Sequence, residues 1–265
     1  MTVSQLQGFQ NAVHRGTRSS RMLVIGSGKG GVGKTTFALS CAVLRVAQGE
    51  SVLLCDADPG MADLNILLGI NPPWHWGLFL QGEKRFDEVI QRNVQGVDFV
   101  HGFSGIPDAS WMQGDAAKRL LSALRQQCTS YDWTIVDVGA GLSEPNLVFM
   151  SAADDLALLV APELTSLADA YGTLKTVIHR RPDAHIGVVI NQAQNEEQAR
   201  VVYLNLAKIA ARFLKVQLPL WGWLPSDPEV PRSLARQKPL VLDQPQGPYA
   251  KAVRSAMKIM ENRLK

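Results

Sequence analysis

The feature that most constrains this chain is the loop Gly28-Lys29-Gly30-Gly31-Val32-Gly33-Lys34-Thr35, set directly behind the apolar run Met22-Leu23-Val24-Ile25. An apolar run that meets glycines at once reads as a buried parallel strand feeding a tight turn, and a helical pattern follows over 34–48 with Gly49 as its stop. In that setting the pattern G-x-x-x-x-G-K-[ST] is a phosphate cradle. The glycines let the backbone wrap an anion closely, and successive amides and the helix N-terminus turn partial positive charge toward it. Lys34 is placed to neutralise β and γ oxygens, and the Thr35 hydroxyl to ligate magnesium, with Thr36 carrying the loop into the helix.

The loop holds a second lysine, Lys29. It stands too early to share the task of Lys34 on the same nucleotide, so the simplest use of its charge is a phosphate on a neighbouring subunit. The plain alternative is a solvated loop lysine.

Two acidic segments belong with this loop. Cys55-Asp56-Ala57-Asp58-Pro59-Gly60 falls at the carboxyl end of the second expected strand, where one carboxylate can reach a magnesium shell and another can orient an attacking water. They also suit the cap of a helix starting near Ala62, and for Asp63 capping and function stay equally open. Later, Ile135-Val136-Asp137-Val138-Gly139-Ala140-Gly141 ends an apolar strand on Asp137, with glycines that leave room for a loop sensing a terminal phosphate.

Apolar runs at 52–55, 97–100, 134–138, 156–160, 186–190 and 220–224 read as further strands, and helical patterns lie at 116–127, 166–179, 196–214 and 249–264. Strands and helices alternating at these lengths predict a three-layer α/β fold, a mostly parallel sheet with helices on both faces and ligands at the carboxyl ends of the strands. The stretch 71–82, with Trp74, His75 and Trp76, is the least regular and reads as a surface loop whose tryptophans tuck against the fold. No long linker divides the body, which predicts one ATPase domain over 21–265 preceded by a flexible partner-binding segment over 1–20, with a frayed terminus of no role as the equal alternative for that segment.

A net charge of +3 over 265 residues argues against a dedicated nucleic-acid surface, although Arg180, Arg181, Arg200, Lys208, Arg212 and Lys215 could supply a basic face. Cys41, Cys55 and Cys128 lack metal or redox spacing and read as reduced core thiols. The polar start and the lack of any run of about 20 apolar residues predict a cytoplasmic location.

K-G-G-V-G-K-T-T, D-A-D-P-G and V-D-V-G-A-G resemble the MinD/ParA superfamily of deviant Walker P-loop NTPases, over nearly the whole chain. Within it the sequence is most similar to the FlhG/FleN regulators of flagellar number. That resemblance rests on Leu67-Leu68-Gly69, Ile190-Asn191, Arg212-Phe213-Leu214, Pro225-Ser226-Asp227 with Arg236-Gln237-Lys238-Pro239, and above all the run from Ser166-Leu167-Ala168-Asp169-Ala170-Tyr171 to Lys175.

The resemblance implies an ATPase that uses ATP and magnesium, dimerises on ATP and controls the number or placement of a polar machine such as the flagellum. It implies that Lys29 crosses the dimer interface and Lys34 is the ordinary phosphate lysine. Thr35 would ligate magnesium, with Asp56 and Asp137 holding it through its waters, and Asp58 would position the hydrolytic water. Asn191 would read the adenine edge, with Pro225, Ser226 and Asp227 beside the base. The implied partner is an FlhF-like GTPase or a flagellar switch or regulator protein, met at the cell pole or inner membrane face. Ser4–Gln10 only partly matches the family's GTPase-activating element, with Gln5 in agreement, and Asp63 stands where the family carries asparagine.

The implied alternatives are a MinD-like or ParA-like positioning ATPase for division or DNA segregation, and a nucleotide-binding scaffold that regulates a partner without turnover. At the C-terminus Tyr249, Val253, Met257, Met260 and Leu264 recur at helical spacing between basic residues, as in a helix that can lie on anionic lipid. If those residues cover the sheet instead, membrane binding is weak or indirect.

Overall fold

The computed structural model describes residues 20–58, 63–102 and 115–262. The expected partner segment, apart from Ser20, lies outside the described residues, as do Pro59, Gly60 and Ala62. In chain order the elements are β1 (Arg21–Gly26), α1 (Lys34–Ala47), β2 (Val52–Ala57), α2 (Leu64–Leu67), α3 (Trp76–Gln81), a 3-10 turn (Phe86–Val89), β3 (Ile90–Val94) and β4 (Val97–Val100). There follow α4 (Asp115–Cys128), β5 (Trp133–Val138), α5 (Glu144–Ala152), β6 (Asp155–Val160), α6 (Leu164–Arg180), β7 (Ile186–Ala193), α7 (Glu196–Phe213), β8 (Leu220–Pro225), α8 (Glu229–Ala235), α9 (Leu240–Asp243) and α10 (Pro248–Asn262).

The strands form one sheet in the order β3-β4-β2-β5-β1-β6-β7-β8, parallel except where β3 runs against β4. Successive side chains of a strand point to opposite faces, so β1 feeds two cores. Met22 and Val24 pack with residues of α4 to α7, and Leu23 and Ile25 with residues of α1 and α10. Such a sandwiched sheet needs apolar residues at almost every position, which is why the parallel strands announce themselves as continuous runs. The three-layer expectation is met.

Helices α5, α8 and α9 were not among the expected elements, and three further features depart from the reading of the sequence. Strand β3 was not expected, because its polar residues Gln91, Arg92 and Asn93 lie on the sheet edge and its pairing with β4 is irregular. Asn93 and Gln95 take positive φ angles of 56° and 51°, and with Gly96 they turn the chain back into β4. Within 71–82 the chain forms α3, and its two tryptophans differ. Trp76 is fully buried, whereas Trp74 stays 40% exposed with Lys84 Nζ 4.5 Å above its ring. Finally, α2 begins at Leu64, whose amide donates to Asp56 Oδ2 at 3.2 Å, so Asp56 rather than Asp63 meets the helix start with its side chain.

Helix α10 lies on the sheet. Tyr249, Val253, Met257 and Met260 are buried against it, and each buried side chain of this size contributes about 1.5–3 kcal/mol. Cys41, Cys55 and Cys128 are buried thiols, and burial pushes that of Cys41 up to about 12.

Candidate functional site

The site forms where β1, β2 and β5 end together. In the parallel register Ile25 lies opposite Asp137, and Asp56 lies opposite Asp137 on the other side. One sheet row therefore places both acidic residues beside the loop that leaves β1. Gly31 and Gly33 adopt φ angles of 77° and 88°, a region that residues with a Cβ enter at a cost, and Phe37 N donates to Gly33 O at 3.0 Å as α1 starts.

Lys34 is buried at the head of α1, close enough to Asp137 and Asp58 to feel both charges. Burial holds its ammonium below the usual lysine range, and the two carboxylates oppose that shift. Asp137 is buried, and loss of water pushes its carboxyl up to about 7 against the pull of the Thr35 hydroxyl and Lys34. Burial, with Asp137 next to it, raises Asp56 well above the ordinary carboxylate range. Asp137 Oδ1 is buried without a hydrogen-bond partner.

A buried acceptor of this kind, beside a second carboxylate and a threonine hydroxyl, suits a hard divalent cation that keeps several waters. No three His, Cys, Asp or Glu side chains converge on a metal cage among the described residues. The residues thus fit magnesium held partly by phosphate and water better than an all-protein metal site.

The loop after β2 is tied down by its own first carboxylate. Asp56 Oδ1 accepts from Asp58 N at 3.2 Å, and the Asp56 carbonyl accepts from the buried Trp76 Nε1 at 2.8 Å. Asp58 faces the loop after β5, where a Cβ on Gly139 would meet Asp58 Oδ1 and Asn146 Oδ1, each at 3.1 Å. Gly141 N donates to Ser27 O at 3.0 Å, binding that loop to the start of the phosphate loop.

Lys29 extends to α6. Its ammonium pairs with Glu163 and donates to Thr165 Oγ1 at 3.0 Å. Next to it, Gly28 packs so closely on the backbone of Asp169 that a Cβ would overlap the Asp169 carbonyl. The Ser166–Tyr171 run singled out in the sequence is therefore the helix against which the phosphate loop begins.

On the other side of the loop, Asn191 Nδ2 donates to Val32 O at 2.7 Å and its Oδ1 accepts from Gln192 N at 2.9 Å. Asn191 also lines a cavity of about 450 Å³ with Gly31, Gly33, Thr36, Pro225, Ser226 and Asp227. The structure thus brings together the phosphate loop, the acids and the residues expected beside a base. Sequence reading missed Glu163 and Thr165, and in the cavity lining it missed Gln192, Pro228, Val230, Pro231, Leu234 and Tyr249. None carries a local signal, and each matters only because distant segments meet.

Several arginines of the conceivable basic face are already engaged. Arg180 pairs with Glu144, Arg200 with Glu197 and Arg181 with Asp183.

Comparison with known proteins gives the family and the fold. Residues 23–240 match the family model described as the CobQ/CobB/MinD/ParA nucleotide binding domain. The chain is 29% identical over 218 residues to the antiactivator FleN of Pseudomonas aeruginosa, covering 82% of this chain and 78% of that protein. It is also 29% identical over 226 residues to a putative septum site-determining protein MinD of Emiliania huxleyi, covering 84% and 81%. Among solved structures, the septum site-determining protein MinD from Pyrococcus horikoshii OT3, complexed with Mg-ADP, superposes with a TM-score of 0.74. It shares 23% identity, with 91% of this chain and 96% of that one covered.

Proposed function

Because the chain belongs to the CobQ/CobB/MinD/ParA nucleotide-binding family, we propose that it is a magnesium-dependent ATPase that dimerises on ATP and regulates flagellar number or placement. The observation that carries the chemistry is Lys34, buried at the helix start within reach of the charges of Asp58 and Asp137. A buried cation facing two carboxylates beside a glycine-rich turn suits the terminal phosphates of a nucleotide.

In this reading the loop from Gly28 to Thr36 wraps the phosphates, and Lys34 neutralises charge on the β and γ oxygens. Thr35 would ligate magnesium, with Asp56 and Asp137 holding it through its waters, and the bound ion would screen the phosphate charge. Asp58, held across from Gly139, orients the attacking water. Asn191, Pro225, Ser226 and Asp227 receive the base in the adjoining cavity. Lys29 leaves Glu163 to reach a phosphate bound by a second copy.

The experiment compares two variants. Lys34→Ala is expected to abolish ATP binding, and Asp58→Ala to keep binding and lose turnover. Unchanged steady-state hydrolysis in the Asp58 variant would sink the assignment of the water-positioning role.

The flagellar reading is supported by the likeness to FleN and by the Ser166–Tyr171 run at the phosphate loop. The partner is an FlhF-like GTPase or another flagellar protein, met in the cytoplasm at the pole, with membrane contact weak or indirect and no role for nucleic acid. A second reading, a positioning ATPase for cell division, is supported by the septum-site relative. Deleting the gene separates them, since altered flagellar counts with normal septa support the first and misplaced septa with normal flagella support the second.

A further inference from the structure

Strand β7 is interrupted at the nucleotide site. Ile190 pairs with Trp223 and Ala193 with Pro225, so β7 advances three residues where β8 advances two. That extra residue makes a β-bulge, and Gln192 inside it takes a φ of 62°, a left-handed conformation uncommon for a residue with a side chain.

The bulge changes where side chains go. In an uninterrupted strand, neighbouring side chains point to opposite faces, yet here two consecutive amides reach the same loop. Asn191 Nδ2 donates to Val32 O at 2.7 Å, and Gln192 Nε2 donates to Gly31 O at 2.9 Å. The next residue, Ala193, accepts from Ser226 N at 2.8 Å on the wall of the base cavity.

We propose that Gln192 is a positioning residue for the phosphate loop, held in place by the bulge and acting through the Gly31 carbonyl. In a trans peptide the carbonyl and the following N–H point in opposite directions. Clamping Gly31 O and Val32 O on the outside therefore aims the amides of Val32 and Gly33 at the other side, where an anion is cradled. Asn191 does this from a buried position and Gln192 from an exposed one. The same three residues join the loop to the base cavity, so the two halves of the site are built on one bulge. This inference rests on the nucleotide-binding reading and adds a residue to it.

The test uses the full chain and three ligands: magnesium tripolyphosphate, ATP and adenosine. Gln192→Met keeps the side-chain length without the donor. Gln192→Gly removes the donor and also relieves the left-handed backbone. Loss of one such hydrogen bond is expected to weaken tripolyphosphate and ATP roughly threefold to tenfold in both variants. Adenosine affinity should not change, and the Gly variant should melt no lower than the parent. Unchanged tripolyphosphate affinity would overturn the proposal, and so would a loss shared by adenosine, because that would mean Gln192 touches the base. If the parent binds neither ATP nor tripolyphosphate, the nucleotide reading itself fails.

Discussion

Asp56 and Asp137 stand opposite one another on the neighbouring strands β2 and β5, both buried, at the end of the sheet where the phosphate loop begins. Burial raises both, Asp56 with the charge of Asp137 beside it, and Asp137 to about 7 with the charges of Asp58 and Asp63 adding to the loss of water. For Asp137 the folded value exceeds the unfolded one, so the native chain binds the extra proton between about pH 4 and about pH 7. Its stabilising contribution is complete below that window and is lost as pH rises through it. The nucleotide-free Asp137→Asn variant should therefore melt above the parent at pH 8, with the gap closing toward pH 5, while magnesium-dependent turnover is lost. Melting temperatures of parent and variant that track each other from pH 5 to pH 8 would remove Asp137 as the source.

The ion pair between Lys29 and Glu163 competes with any use of Lys29 on a second copy of the chain. Glu163 is more than half exposed, so the pair is worth at most ~1 kcal/mol, or about fivefold in an equilibrium constant. With a slowly hydrolysed ATP analogue, light scattering should find a dimer for the parent and a monomer for Lys29→Ala. Each dimer releases two such lysines, so Glu163→Gln should shift dimer formation to lower protein concentration by up to about 25-fold. A parent that stays monomeric in ATP and ADP alike speaks against the switch.

Two glycines of the phosphate loop should differ sharply in what they tolerate. A Cβ on Gly28 would overlap the Asp169 backbone in α6, which has no rotamer to move, whereas one on Gly30 meets nothing within 4 Å. Thermal unfolding of Gly28→Ala should show a loss of about 1–3 kcal/mol. Gly30→Ala should unfold like the parent. Equal stability of the two variants would mean that α6 gives way.

Helix α10 spends its apolar stripe on the sheet, leaving Lys251, Ser255, Lys258 and Ile259 outward. Lysines near an anionic surface give about 1 kcal/mol each, too little to hold the chain on vesicles at physiological salt. Co-sedimentation with anionic liposomes and ATP should leave most protein in the supernatant. Strong pelleting that Lys251→Glu and Lys258→Glu together abolish would show that this helix binds lipid after all.

What the sequence determined by itself was local, though edge strand β3 and the short helices α3 and α5 escaped it. Seven of the eight strands were legible as apolar runs because a sheet covered on both faces needs them. The loop from Gly28 to Thr35 was legible because a strand, a glycine-rich turn and a helix follow one another without a gap. Asp56, Asp58 and Asp137 were legible because carboxylates at strand ends adjoin a ligand in a parallel sheet. Only the tertiary structure decided which of these groups meet. Lys29 and Glu163 are 134 residues apart, and Asn191 lies 159 residues from Val32. The part played by Gln192 depends on a one-residue slip between β7 and β8 that no pattern in β7 records. Likewise, the amphipathic pattern of α10 was equally compatible with lipid and with a sheet. A repeating apolar stripe states that a surface must be covered, and only the packed chain supplies what covers it.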